Sequence, residues 1–121
     1  MEATARRSEG LLDWQRSHYP EAHRNRRNLA IHAATVPLFL LGGVAVVLAI
    51  AFAWWLAPAG IATMIAAIAM QGRGHARERA RPAPFRGALD AVARIVAEQW
   101  VTFPRFVLSG EFAAAWRAAK P

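Results

Sequence analysis

The chain has 121 residues, a net charge of +7 and an apolar fraction of 55%, well above the usual share for a water-soluble domain. It has no cysteine, which excludes disulfides, thiolate metal ligands and thiol chemistry. None of its three serines sits in a nucleophile elbow, and the Gly72-Arg73-Gly74 run is too short for a phosphate-binding loop.

In chain order, Ser8 is placed to cap a short helix whose face carries Leu11, Trp14 and His18, and Pro20 ends it. A second helix is expected to begin near Arg24 and to run unbroken into an apolar stretch. On it Asn28 and His32, four residues apart, share a face. His23 is nine residues from His32, about half a turn out of phase at ~3.6 residues per turn. It reaches the same point only from a loop or cap before the helix.

Residues 33–72 contain no Asp, Glu, Lys, Arg or His. That is ~40 residues, about twice the roughly 20 that cross a bilayer once as a helix. The expected fold is therefore all-α: a membrane helical hairpin of two apolar helices flanked by polar and amphipathic helices. The turn is expected at 54–60, where two tryptophans precede Pro58 and Gly60. The second pass then has only 61–71, roughly 16 Å of helix, and must borrow from the turn or thin the bilayer. The competing architecture is a soluble helical bundle with a very apolar central hairpin. One membrane-embedded domain, 1–121, is expected, with a polar segment 1–32, the apolar hairpin 33–72 and a C-terminal segment 73–121. The arginines bracket the apolar stretch, so both termini are expected in the cytoplasm, with anionic lipid rather than nucleic acid as partner.

After the hairpin, Gly72 and Gly74 are expected to free the backbone and swing His75 into position, with Glu78 three residues on. Residues 87–103 read as the clearest amphipathic helix. Its apolar stripe is Leu89, Val92, Val96, Trp100 and Phe103; Asp90, Arg94 and Glu98 form the opposite face. That stripe is expected to pack on the hairpin base or to lie in the membrane interface, and Pro104 is expected to stop the helix.

All four histidines, His18, His23, His32 and His75, lie on the polar flanks of the apolar stretch. Folding it back as a hairpin brings them together, and convergent neutral imidazoles bind transition metals. Imidazole and carboxylate without sulfur suit Fe(II), Zn(II) or Mn(II), and an open catalytic site fits better than a structural zinc. Asn28 and Glu78 are placed to orient the imidazoles; Glu78 is also a candidate ligand, proton acceptor, or partner of Arg77, Arg79 or Arg81.

Two segments carry a family resemblance. The run from His23 through Asn28 to Ile31-His32, followed by Val36-Pro37, resembles the first signature of the 2-hydroxy fatty acid dioxygenase family. Gly74-His75, with Glu78 and Arg81-Pro82, resembles the second. The resemblance implies an Fe(II)-dependent membrane dioxygenase that shortens a 2-hydroxy fatty acid by one carbon with dioxygen. His23, His32 and His75 would then be metal ligands, Asn28 and Glu78 supporting catalytic-site residues, and His18 a fourth ligand. Arg73 or Arg24 would hold the substrate carboxylate, and the acyl chain would lie along the hairpin in the membrane. The chain departs from the family in having room for two passes where members often have four, and in a tail, 98–106, that the resemblance does not explain. The alternatives are a non-catalytic metal-binding membrane protein and a small helical membrane scaffold; two short passes leave much apolar surface, which suits self-association into a homo-oligomer.

Overall fold

The structure, a computed structural model, describes residues 10–119, and it is all-helical. Six α-helices follow in order: α1 (Leu11–His18), α2 (Arg26–Ala49), α3 (Leu56–His75), α4 (Ala88–Ala97), α5 (Phe103–Leu108) and α6 (Glu111–Ala118). Ser8, expected to cap the first helix, lies outside the described residues; Gly10, at φ 89°, precedes α1 instead.

α2 starts where Asn25 caps it. The Asn25 side chain accepts from the backbone N–H of Arg27 (3.0 Å) and Asn28 (3.2 Å). A short 3-10 turn, Pro20–Ala22, joins α1 to this cap and leaves His23 in the connection, off the helix.

α2 and α3 pack antiparallel. A Cβ on Gly60 would lie 2.4 Å from the Gly42 carbonyl oxygen, so the two backbones nearly touch near the tip. Nearer the base, the Gln71 amide donates to Thr35 Oγ1 at 3.0 Å. The turn between them falls earlier than the tryptophans and Pro58 suggested. α2 ends at Ala49 and α3 begins at Leu56, so Pro58 and Gly60 are helical. Proline is tolerated in a first helical turn because its missing N–H would have no intrahelical partner there. α3 thus has 20 residues, roughly 30 Å of helix. Among the described residues only α2 is both long and apolar enough to cross a membrane; α3 is diluted by Pro58, Gln71 and Arg73.

The last three helices close over the base of this pair. Pro104 does not stop the chain: α4 passes through a π-helical turn, Glu98–Thr102, directly into α5. Pro104 has no N–H to bond one turn back, and a wider turn at that point absorbs the defect. Phe103 and Phe106 join Tyr19, Leu29 and Val36 in the buried core, with Phe112 of α6 packed edge-on against both phenylalanines.

The amphipathic reading of α4 is inverted. Leu89 is 88% exposed, and Val92, Val96 and Trp100 also face outward. The face read as solvated turns inward: Arg94 is buried and Glu98 largely so. The Arg94 guanidinium lies between the rings of Trp14 (5.1 Å) and Phe85 (4.6 Å). It also donates to the Pro84 carbonyl and sits 3.8 Å from Asp90. Only Phe103 of the expected stripe is in the core.

Candidate metal centre

Four elements converge at the base of the α2–α3 pair. His23 comes from the loop before α2, His32 from its second turn, His75 from the last turn of α3, and Glu98 from the start of the π turn. One ligand atom from each lies within 4.8 Å of all the others. Of the histidines expected to meet, His18 is not in this group. Its Nδ1 faces the Trp14 carbonyl (2.8 Å) and Ser17 Oγ (3.0 Å) on α1. The amphipathic pattern of 87–103 puts Glu98 on the solvated face, which hides it from sequence reasoning. The available signal was that it opens the tail the resemblance left unexplained.

The two most buried imidazoles have their tautomers fixed by their partners. His23 Nδ1 meets the Tyr19 carbonyl at 2.8 Å and His32 Nδ1 meets the Asn28 carbonyl at 3.0 Å. A carbonyl only accepts, so each Nδ1 carries its hydrogen and, in the neutral ring, each Nε2 presents a lone pair. Those two Nε2 atoms face one another at 3.4 Å. Glu98 Oε1 stands 3.4 Å from His32 Nε2 and 3.9 Å from His23 Nε2. Three electron-rich atoms aimed at one buried point are unfavourable without a cation among them. His75 adds a buried Nδ1 without a hydrogen-bond partner. Ligands ~2.1 Å from a common ion stand at most ~4.2 Å apart, so the widest pair has to close by only about half an ångström. The donor set therefore fits a divalent metal with an affinity for imidazole and carboxylate.

Electrostatics agree with this chemistry. Burial, and then the neighbouring His32 ring, push the His23 imidazole down to about 3, which keeps it neutral and available as a ligand. Burial alone would raise the Glu98 carboxyl. A hydrogen bond from His32, and the positive charge that His32, His23 and His75 carry when protonated, outweigh it and hold Glu98 below its usual range, as a carboxylate. Tyr19 braces two of the four donors. Its ring stacks on His23 with centroids 3.8 Å apart, its carbonyl orients the same imidazole, and its hydroxyl donates to Glu98 Oε1 at 2.9 Å. Burial, then the Glu98 charge, raise the Tyr19 phenol, so it stays a donor.

Asn28 and Glu78 hold the loop that presents His23. One Glu78 oxygen accepts from the Asn25 backbone N–H (2.9 Å) and Asn28 Nδ2 (2.8 Å), and the other from the Arg24 N–H (3.1 Å). Asn28 Nδ2 also donates to the Ala22 carbonyl. Glu78 is thus engaged with the loop and not with the cluster. Gly74 permits this arrangement by size rather than by backbone freedom: it is helical, and a Cβ there would meet Asn28 Oδ1 at 2.4 Å.

Two cavities open beside the cluster, of about 240 and 820 Å³, and both have His75 and Glu98 in their walls. Arg24 lines a different cavity that has no histidine, and Arg73 lines none of the three. A family model described as 2-hydroxy-palmitic acid dioxygenase Mpo1-like matches residues 12–108, a span that includes all four clustered residues. No curated protein and no solved structure matches the chain. With both signature segments and the once unexplained tail inside the matched span, the chain belongs to the Mpo1-like family.

Proposed function

We propose that this protein is an Fe(II)-dependent membrane dioxygenase that shortens 2-hydroxy fatty acids by one carbon. The observation that carries the reading is the pair of Nε2 lone pairs and the Glu98 carboxylate converging on one buried point. His23, His32, His75 and Glu98 are the proposed metal-holding residues, and His18 is left outside the set. Iron bound by nitrogen and oxygen donors supplies the redox chemistry that activates dioxygen beside the C1–C2 bond.

The chain's own contribution is positioning and exclusion of water. Tyr19 fixes His23 and Glu98 together, and Asn28 with Glu78 pins the loop carrying His23. The complete burial of His32 and Asn28 keeps water from the inner side of the site. α2 and α3 are proposed as a membrane hairpin within a single embedded domain, with both termini in the cytoplasm and the acyl chain drawn from the lipid phase.

The test is elemental analysis of the detergent-purified protein after anaerobic Fe(II) loading, with a His32→Ala/His75→Ala variant beside it. Near-stoichiometric iron that is absent from the variant is expected, together with oxygen uptake on adding 2-hydroxyhexadecanoate. Iron without oxygen uptake would leave a metal-binding protein that is not this enzyme. Equal metal in both proteins would sink the proposed ligand set.

A further inference from the structure

We propose that Arg81 binds the substrate carboxylate at the mouth of an acyl groove lying between α3 and α4. This rests on the fatty-acid reading above and adds the subsite that recognises the acid. The larger cavity, about 820 Å³, runs between these helices and is of a size that holds small-molecule ligands. His75, Glu98 and Arg81 are among its polar lining residues, and Ile68, Phe85 and Ile95 among its apolar ones.

Arg81 is chosen because, of the arginines lining this cavity, it alone is both uncommitted and shared by the two cavities that reach the cluster. Three arginines line this cavity: Arg79, Arg81 and Arg94. Arg79 does not line the smaller cavity, whereas Arg81 and Arg94 line both cavities that reach the cluster. Arg94 is committed between Trp14 and Phe85, with its donor on Pro84 and Asp90 beside it. Arg81 is exposed and has no hydrogen-bond or ion-pair partner among the described residues. A guanidinium in that state is suited to bidentate recognition of a carboxylate.

The groove also sets the direction of the ligand. With the carboxylate on Arg81, the alkyl chain leaves past Ile68. Ile65 and Ile61 lie one and two turns further along α3, both exposed on its outer apolar surface. Only C1 and C2 then stand at the His75–Glu98 end, and the remaining methylenes continue toward the lipid-facing side.

The test measures binding without turnover, by anaerobic titration of the Fe(II)-loaded, detergent-purified chain with 2-hydroxyhexadecanoate and with its methyl ester. Arg81→Gln is expected to weaken the acid ~10–100-fold and to leave the ester unchanged. Arg81→Lys is expected to recover part of the acid affinity, and Arg73→Gln to match the wild type for both ligands. Circular dichroism checks that each variant is folded. Wild-type affinity for the acid in Arg81→Gln, equal loss of acid and ester, or no recovery in Arg81→Lys would each overturn the assignment while leaving the dioxygenase reading standing. A wild-type chain that binds neither ligand would overturn both.

Discussion

Gly74 shows how much of the site depends on single side chains. A methyl group there would fall on Asn28 Oδ1, and Asn28 has no freedom to move because its Nδ2 is tied to both Ala22 and Glu78. Gly74→Ala is expected to cost about 1–3 kcal/mol and to lower iron content, through overpacking at this contact. Gly72 has nothing within 4 Å of its missing Cβ, so Gly72→Ala is expected to raise helix stability by up to ~1 kcal/mol. Thermal melts of both variants in detergent give the comparison, and equal melting temperatures would mean that the Asn28–Gly74 contact carries no weight. The same neighbourhood marks the limit of what the sequence reveals. His23 has to lie off the helix because nine residues put it out of phase with His32, and it does lie in the loop. Glu98 is 23 positions beyond His75 (98 − 75) and outside both signature segments, so no spacing rule connects it to the histidines. Its place in the cluster comes from the π turn and the inward roll of α4, neither of which local periodicity encodes.

At the level of elements, α4 departs furthest from the pattern of its sequence. An amphipathic helix is ordinarily assumed to hide its apolar stripe and wet its polar one. α4 does the reverse, with Arg94 buried between aromatic rings while Leu89 and Val92 face outward. The polar groups turned inward are satisfied there. Gln15 Nε2 donates to the Arg94 carbonyl, Thr102 donates to Gln15, and the Gln71 and Gln99 amides exchange hydrogen bonds at 3.0 and 2.7 Å. An interior this polar and an exterior this apolar suit the membrane setting proposed above. Close backbone approach at small residues belongs to the same environment, because helices in lipid associate through packing rather than through escape from water. Gly60 is where this can be tested. Its Cβ would strike the Gly42 carbonyl oxygen, which is backbone and cannot rotate away. Gly60→Ala is expected to separate α2 from α3 and to cost about 1–3 kcal/mol. Unfolding followed by far-ultraviolet circular dichroism in a mild detergent measures the loss, and a variant as stable as the wild type would show that the pair tolerates a wider spacing.

For the whole molecule, the lengths decide where the metal centre can sit. From His32 to Ala49, α2 rises roughly 25 Å, and from Leu56 to Gln71 α3 rises roughly 22 Å. A bilayer's hydrocarbon core is about 30 Å thick. In the proposed membrane setting the pair would cross only if the turn at 50–55 contributed length and the bilayer thinned slightly, which would leave the histidine cluster at the membrane surface rather than within it. The charges agree: residues 33–72 carry none, and every arginine lies before or after that stretch in the sequence. Ile50, 92% exposed, together with Phe52, Trp54 and Trp55, makes the far tip apolar and aromatic, as befits a segment at the opposite interface. The absence of native cysteine makes this topology directly measurable. Ala51→Cys at the tip and Ser109→Cys at the base, both exposed positions, each introduce a single thiol. In sealed right-side-out and inverted membrane vesicles treated with an impermeant maleimide, Ser109→Cys is expected to react only from the cytoplasmic side and Ala51→Cys only from the other. Labelling of both thiols from the cytoplasmic side would place the pair on the membrane rather than across it. The substrate groove between α3 and α4 would then open along the surface of one leaflet instead of into its interior.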